Sequence, residues 1–264
     1  MPPPAEGAAA AAPARAWKVA EVEVLRQLTE EAGAVVLRWL EEVDAGVWGE
    51  PAAGSPAEGL IYSKLTDGMP TRAWLAVLEF SEAQATLEEM LHNSTIEQIC
   101  RYMTQTTSET FGRVLYDFAP NLRLLGITSR RGALGLELER CGQDIQGLYA
   151  PLPGDDRSGR LVSTALGTHG DFVAEGLQRL SPALAESLAK TALEEFAADT
   201  IFVHNHLSGS VVEPTGPGTW RIVYVLQMEP NVPKWLPRWG IEFSQRMMIQ
   251  DIMAGIVGSM RRPA

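Results

Sequence analysis

Thr219-Trp220-Arg221-Ile222-Val223-Tyr224-Val225-Leu226-Gln227-Met228-Glu229 alternates two sets of side chains. Trp220, Ile222, Tyr224, Leu226 and Met228 occupy one phase; Arg221, Val223, Val225, Gln227 and Glu229 occupy the other. Successive side chains of a strand point to opposite faces, so this period of two predicts a β-strand whose first set faces the interior. Pro237 then opens a helical stretch to about Met260. Within it Trp239, Phe243, Met247, Ile249, Ile252, Met253, Ile256, Val257 and Met260 cover most of the helix circumference. Ser244, Asp251, Gly255 and Gly258 leave only a narrow wedge. A helix apolar nearly all round is buried on more than one side. A sheet covers one side, so a ligand, a membrane or a partner is expected on the rest; an ordinary core helix packed by other helices is the simpler alternative. Met247, Met248, Met253 and Met260 suit either reading, because the flexible thioether fills irregular apolar space.

Working outward, Ile201–Glu213 reads as the preceding strand, joined by Pro214-Thr215-Gly216-Pro217-Gly218. Residues 171–198 read as helical and are divided at Ser181-Pro182, since Ser caps a helix and Pro suits its first turn. Residues 17–44 repeat apolar residues at helical spacing, with Gly33 a candidate break. Leu60–Leu65 and Arg72–Phe80 read as strands joined by Asp67-Gly68. Ser81 is a cap for a helix to about Leu91, and Ser94-Thr95-Ile96-Glu97 fits the capping box of another. Leu122–Thr128, Ala133–Arg140, Asp144–Tyr149 and Arg160–Leu166 read as further strands. Residues 1–16, rich in Pro, Ala and Gly, read as a disordered tail, leaving 17–264 as one domain. Meandering strands with segregated helices predict an α+β fold with an antiparallel sheet.

The 264 residues carry a formal charge of −11, which argues against a nucleic-acid-binding role. The C-terminal end differs: residues 234–262 hold five basic side chains against two acidic ones. No uncharged apolar run approaches the roughly 20 residues of a membrane span. Two cysteines, Cys100 and Cys141, exclude a disulfide scaffold and fit a reducing, cytoplasmic setting. Cys100 reads as a small core residue, and the acidic residues of 171–198 as a solvated helical face.

The stretch Ser208–Pro230, followed by Trp235-Leu236-Pro237-Arg238-Trp239, resembles the last hairpin and the entry to the C-terminal helix of a START lipid-transfer domain. The N-terminal layout is similar too: a helix, a strand at Ile61-Tyr62, a strand over Ala73–Phe80, and a helix after Ser81. Tyr116–Thr128 is weakly similar to the family's next strand. The resemblance implies a helix-grip fold, in which a curved antiparallel sheet wraps a long C-terminal helix, here with extra helices. It implies one lipid held in an apolar tunnel and carried between membranes, without a cofactor or covalent chemistry. The middle departs from the family pattern: no Arg-Asp-Phe motif is found, Lys234 replaces a usual Gly, and 171–198 looks like an insertion.

The alternation and the helical arc together nominate ligand-binding residues: Trp220, Ile222, Tyr224, Leu226, Met228, Trp239, Phe243, Met247, Ile249, Ile252, Met253 and Ile256. A cavity is expected to be lined by Tyr224, Leu226, Met228, Phe243, Met247 and Met253. Tyr224, His204, His206 and Arg221 are candidate polar selectors. His204, His206 and His169 also form a three-histidine set, for which ordinary hydrogen-bonding histidines are the simpler reading. Ser187-Leu188-Ala189-Lys190 matches a nucleophile pattern but lies inside an amphipathic helix without companion motifs. Trp235 and Trp239, with Lys234 and Arg238, are nominated for docking on a membrane, since Trp favours the interface and basic residues favour anionic surfaces. Two other roles fit the same scaffold: an enzyme of polyketide cyclase or hydrolase type, and a lipid-sensing protein-interaction module. Composition does not choose among sterol, phospholipid, sphingolipid and fatty acyl ligands.

Overall fold

The fold is that of a computed structural model, which describes residues 17–55, 59–66, 71–81, 109–133, 136–155, 159–196, 200–229, 231, 235 and 237–260. In chain order the described elements are α1 (Val19–Asp44), β1 (Ala53–Ser55), β2 (Gly59–Leu65), β3 (Arg72–Ser81), β4 (Glu109–Ala119), β5 (Leu122–Ala133) and β6 (Leu136–Tyr149). They continue with β7 (Leu161–Gly167), α2 (Asp171–Leu180), α3 (Pro182–Glu195), β8 (His204–Gly216), β9 (Thr219–Glu229) and α4 (Arg238–Met260). The strands form one curved antiparallel sheet in the order β1-β2-β3-β9-β8-β7-β6-β5-β4. Neighbours β4 to β9 follow sequence order, and β9 then closes onto β3. This is the α+β architecture expected above, with a long C-terminal helix against the sheet.

Apolar spacing explains α1. Leu25, Leu28, Ala32, Val36, Trp39, Leu40 and Val43 are buried along one stripe, as a period of 3.6 requires. At its start the Lys18 backbone N–H donates to the Glu21 carboxylate at 2.9 Å. The stripe packs on the outer face of the sheet against Leu75, Val223, Val225, Ile145 and Leu166, with Val173 and Leu177 of α2 and Leu184 and Leu188 of α3 beside it. The hydroxyls of Thr29 and Tyr149 share a hydrogen bond that ties α1 to β6. Gly33 does not break the helix, contrary to expectation. It is buried, and a β-carbon there would stand 2.7 Å from Leu152 Cδ1, so the glycine serves close packing.

Several sequence expectations change. Ala133 ends β5, whereas Leu136–Arg140 and Asp144–Tyr149 belong to one strand, β6, which runs unbroken through Gly142 because β5 pairs with it from Leu136 to Gly147. The one strand expected over Tyr116–Thr128 from the resemblance is two: β4 ends at Ala119, at the end of the sheet order and with irregular register at Val114/Tyr116 and Asp117/Ala119, and β5 begins at Leu122. Strand β8 begins at His204 rather than Ile201 and continues through Pro214. Pairing with β7 ends at Val212, so the missing N–H of Pro214 faces no ladder partner there. Ser81 ends β3. The Asp67-Gly68 turn, the two helices read between Ser81 and residue 108, Cys100 and the 1–16 tail lie outside the described residues.

Helix α1 approaches the sheet closely at Gly147, where an added methyl would lie 2.7 Å from Tyr149 Cε2 and 2.8 Å from Thr29 Cβ. Gly147→Ala is therefore expected to lower unfolding free energy by about 1–3 kcal/mol, as overpacking does. Urea denaturation measures this; wild-type stability in the variant would mean that α1 sits further out.

Candidate functional site

The inner face of the sheet is read off its cross-strand rows. Ala76, Tyr224, Ser210, Ser163 and Leu148 lie side by side across β3, β9, β8, β7 and β6. The next row runs Trp74, Leu226, Ser208, Ala165, Gln146. Both rows are apolar on β3; across β8 and β7 they are small or polar, and on β6 the first ends on Leu148 and the second on Gln146.

Helix α4 covers the apolar end. Ile249, Ile252, Met253 and Ile256 are buried against Ile61, Trp74, Ala76, Leu78, Ile222, Tyr224 and Leu226. Each such aliphatic side chain contributes about 1.5–3 kcal/mol on full burial. One polar side chain sits in this contact. Gln245 accepts from Trp74 Nε1–H at 3.1 Å and donates its own N–H to the Met228 carbonyl at 2.6 Å, joining α4 to β3 and β9.

The polar end holds residues that sequence reading did not nominate: Asp144, Gln146, Asn205 and Ser208. Asp144 is 3% exposed and Gln146 1%. The Asn205 side-chain N–H₂ donates to Asp144 Oδ2 at 2.8 Å and to Ser208 Oγ at 3.0 Å. Asp144 Oδ1, Asn205 Oδ1 and both polar atoms of Gln146 have no hydrogen-bond partner among the described residues. Burial pushes the Asp144 carboxyl up to about 6, against the smaller opposing pull of the Asn205 hydrogen bond. The ladder places Arg123 opposite Gln146, and its guanidinium pairs with Asp117 at 3.1 Å. Asp144 and Gln146 alternate with Ile145 and Gly147, a pattern indistinguishable in sequence from a solvated strand face. The signal available was their place in a strand with neighbours on both sides.

The nominated residues divide. Trp220, Ile222, Tyr224, Leu226, Met228, Ile249, Ile252, Met253 and Ile256 are brought together in one buried cluster. Trp239, Phe243 and Met247 are not part of it. They are 71%, 51% and 37% exposed, on the stripe of α4 turned away from the sheet, because positions four apart share one side and Gln245, Ile249 and Ile252 occupy the other. The cavity lining expected from the sequence is thus split between a packed interface and an outward face. Trp235 is exposed as well, and Arg238 bonds Glu242 at 3.1 Å. Lys234 lies outside the described residues.

The polar selectors also divide. Arg221 is on the outer face, as its alternation against Tyr224 demands, and joins Asp44 of α1 to Glu213 of β8. His206 is buried and accepts the Asp171 backbone N–H at Nδ1, 3.2 Å away. It opens on an outer-face cleft of about 390 Å³ that includes Trp39, Phe172 and Gln227. Burial holds His206 below the usual imidazole range. His204 stands beside Glu229, and His169 stacks on Phe202. Among the described residues no three His, Cys, Asp or Glu side chains group around a common point that would hold a metal ion. Ser187 hydroxyl donates to the Ala183 carbonyl within α3, as a helical serine does.

No family model and no curated protein matches the chain. Solved structures do. Human StAR-related lipid transfer protein 5 superimposes with a TM-score of 0.63 at 13% identity, covering 90% of this chain and 97% of the other. The lipid transfer and protein localization domain of human StarD13 gives 0.55 at 12% identity, covering 87% and 98%. Human STARD10 gives 0.52 at 13% identity, covering 83% and 77%. The chain therefore has the START-type helix-grip fold.

A carboxyl raised to about 6 in the folded state binds its proton more tightly there than when unfolded. Stability is then fully present below pH ~4 and falls as pH rises to ~6, by about 2–3 kcal/mol. Asp144→Asn removes that loss. It is expected to raise unfolding free energy at pH 7.5 and to flatten the profile between pH ~4 and ~6, measured by urea denaturation across pH. A variant with the wild-type profile would show that Asp144 is solvated.

Proposed function

We propose that this protein binds one lipid on the inner face of its sheet, beside α4, and carries it between membranes. The observation that carries the reading is the division of that face: an apolar wall under α4 adjoins buried polar side chains whose hydrogen bonds are incomplete. An ordinary core retains few such groups, because each unsatisfied buried polar atom costs about 1–3 kcal/mol. An amphipathic ligand has both a tail for the wall and a polar end for the rest. Burying the tail gains about 0.8 kcal/mol per CH₂ relative to water, which offsets its loss from the bilayer. The similarly folded human proteins bear lipid-transfer names, which supports the same reading.

Membrane contact is assigned to the outward stripe of α4 and the residues before it. Trp235, Trp239, Phe243 and Met247 form an exposed apolar run of the kind that marks an interaction surface. Arg246 lies over the Phe243 ring at 5.3 Å, and Arg238 lies beside Trp239, so the run has a basic border. Among the described residues no helix is long and apolar enough to cross a membrane, which leaves contact at the surface as the mode for these helices. The acidic remainder, at −11 overall, limits that contact to brief docking on an anionic leaflet. Binding rather than catalysis fits Asp144, because its hydrogen-bond partner is an amide that does not titrate.

Native mass spectrometry of purified protein, with extraction of the bound material, tests the reading: a single lipid per chain is expected. Protein that takes up no lipid from any vesicle would overturn it. For docking, Trp239→Ser with Phe243→Ser is expected to weaken binding to anionic vesicles about tenfold or more, since each ring contributes about 1.5–3 kcal/mol when buried. Both side chains are exposed, so thermal stability should change by less than about 0.5 kcal/mol. Undiminished sedimentation with vesicles would move the docking surface elsewhere.

A further inference from the structure

We infer that the lipid's polar end is a hydrogen-bond donor free of phosphate and carboxylate, a hydroxyl- or amine-bearing head received by Asp144, Gln146 and Asn205. The inference rests on the lipid-binding reading above and adds the chemistry of the ligand.

Among the described residues, Asp144, Gln146 and Asn205 leave four polar atoms without partners, and three of these are acceptors: Asp144 Oδ1, Asn205 Oδ1 and Gln146 Oε1. The fourth, Gln146 Nε2, is a donor. The orientation of Asn205 is set by its neighbours. Its N–H₂ serves the Asp144 carboxylate, the Ser208 hydroxyl and, at 3.4 Å, the Ala165 carbonyl, so the oxygen is the atom left over. Asp144 is held in place by the same amide. On the inner phase of β7 the neighbours of these groups are the small residues Ser163, Ala165 and Gly167, and at Gly167 an added β-carbon would stand 2.7 Å from the Asn205 carbonyl oxygen, so the glycine lets Asn205 sit close to β7.

Charge decides the sign of the ligand. A phosphate or carboxylate placed here would meet the Asp144 carboxylate in surroundings that screen poorly. Among the described residues, the cation that the ladder places opposite Gln146 is Arg123, and it is paired with Asp117. A hydroxyl donates one hydrogen bond to an acceptor and receives one from Gln146 Nε2. An ammonium donates up to three and neutralises Asp144. Both satisfy the acceptor excess, and an anion satisfies neither.

The test loads the full-length protein from phosphatidylcholine vesicles doped separately with cholesterol, ceramide, sphingosine, phosphatidic acid or oleic acid, and reads occupancy by native mass spectrometry. One of the first three is expected to load at least about tenfold better than both anionic lipids, a difference of about 1.4 kcal/mol. Gln146→Leu removes two buried polar atoms without partners, so a purely structural role predicts an equal or higher melting temperature and unchanged loading. A ligand-binding role predicts an equal or higher melting temperature with loading reduced about tenfold. Asp144→Asn separates the two heads: loading of sphingosine falls, whereas a hydroxyl, which accepts as well as donates, still pairs with the amide N–H₂ that takes the place of Oδ1. The inference is overturned if phosphatidic acid, oleic acid or the carrier phosphatidylcholine itself loads best. It also falls if neither substitution alters loading or preference, while lipid binding itself stands. Failure of every lipid to load removes both.

Discussion

Strand β9 is the constraint on which the rest depends. It is hydrogen-bonded to β3 along one edge and to β8 along the other, and so joins the N-terminal strands to the β4–β8 meander. Both of its faces are buried. Val223 and Val225 lie in the outer core with α1, while Ile222, Tyr224 and Leu226 lie in the inner core with α4. An antiparallel sheet commonly keeps one face in water; a sheet buried on both faces needs cover on both. Helix α1 and the α2–α3 pair provide it outside, and α4 provides it inside along β3 and β9.

The reach of α4 then shapes the inner face. The helix is fixed at the β3–β9 end by aliphatic packing and by Gln245, which satisfies two buried groups at once. Beyond Leu161 and Val212, which join the inner core, the β6–β8 end carries Ser163, Ser208, Gln146, Asn205 and Asp144 among its buried side chains. Retaining Asp144 and Gln146 there lowers stability, since burial disfavours the charged carboxylate and leaves amide atoms unpaired. Such a local cost is expected where binding requires the polar groups, and stability is drawn from elsewhere in the fold.

The two sides of α4 show why burial and exposure are separate questions from hydrophobicity. Ile249, Ile252, Met253 and Ile256 on one side are buried; Trp239, Phe243 and Met247 on the other are in water. Hydropathy along the helix reports an apolar circumference and is blind to which part meets protein. The same holds for Arg221 and Tyr224. Alternation alone puts them on opposite faces, and the structure shows Arg221 occupied by Asp44 and Glu213 on the outer one.

By itself the sequence determined the elements with strong local signals and the class of fold they make. The period of two in Thr219–Glu229, the helical spacing in α1, the Ser181-Pro182 division and the Pro237 helix entry each follow from contacts and caps within a few residues. The tertiary structure alone decided which strand stands beside which, and hence which polar residues are buried. Asp144 and Gln146 read as a solvated phase until β6 is placed between β5 and β7 in a sheet covered on both sides. Asn205 reads as one polar residue between two histidines until β8 brings it to Asp144 across β7. These pairings join residues some sixty positions apart, and burial of a side chain depends on what packs over it, which no local pattern encodes.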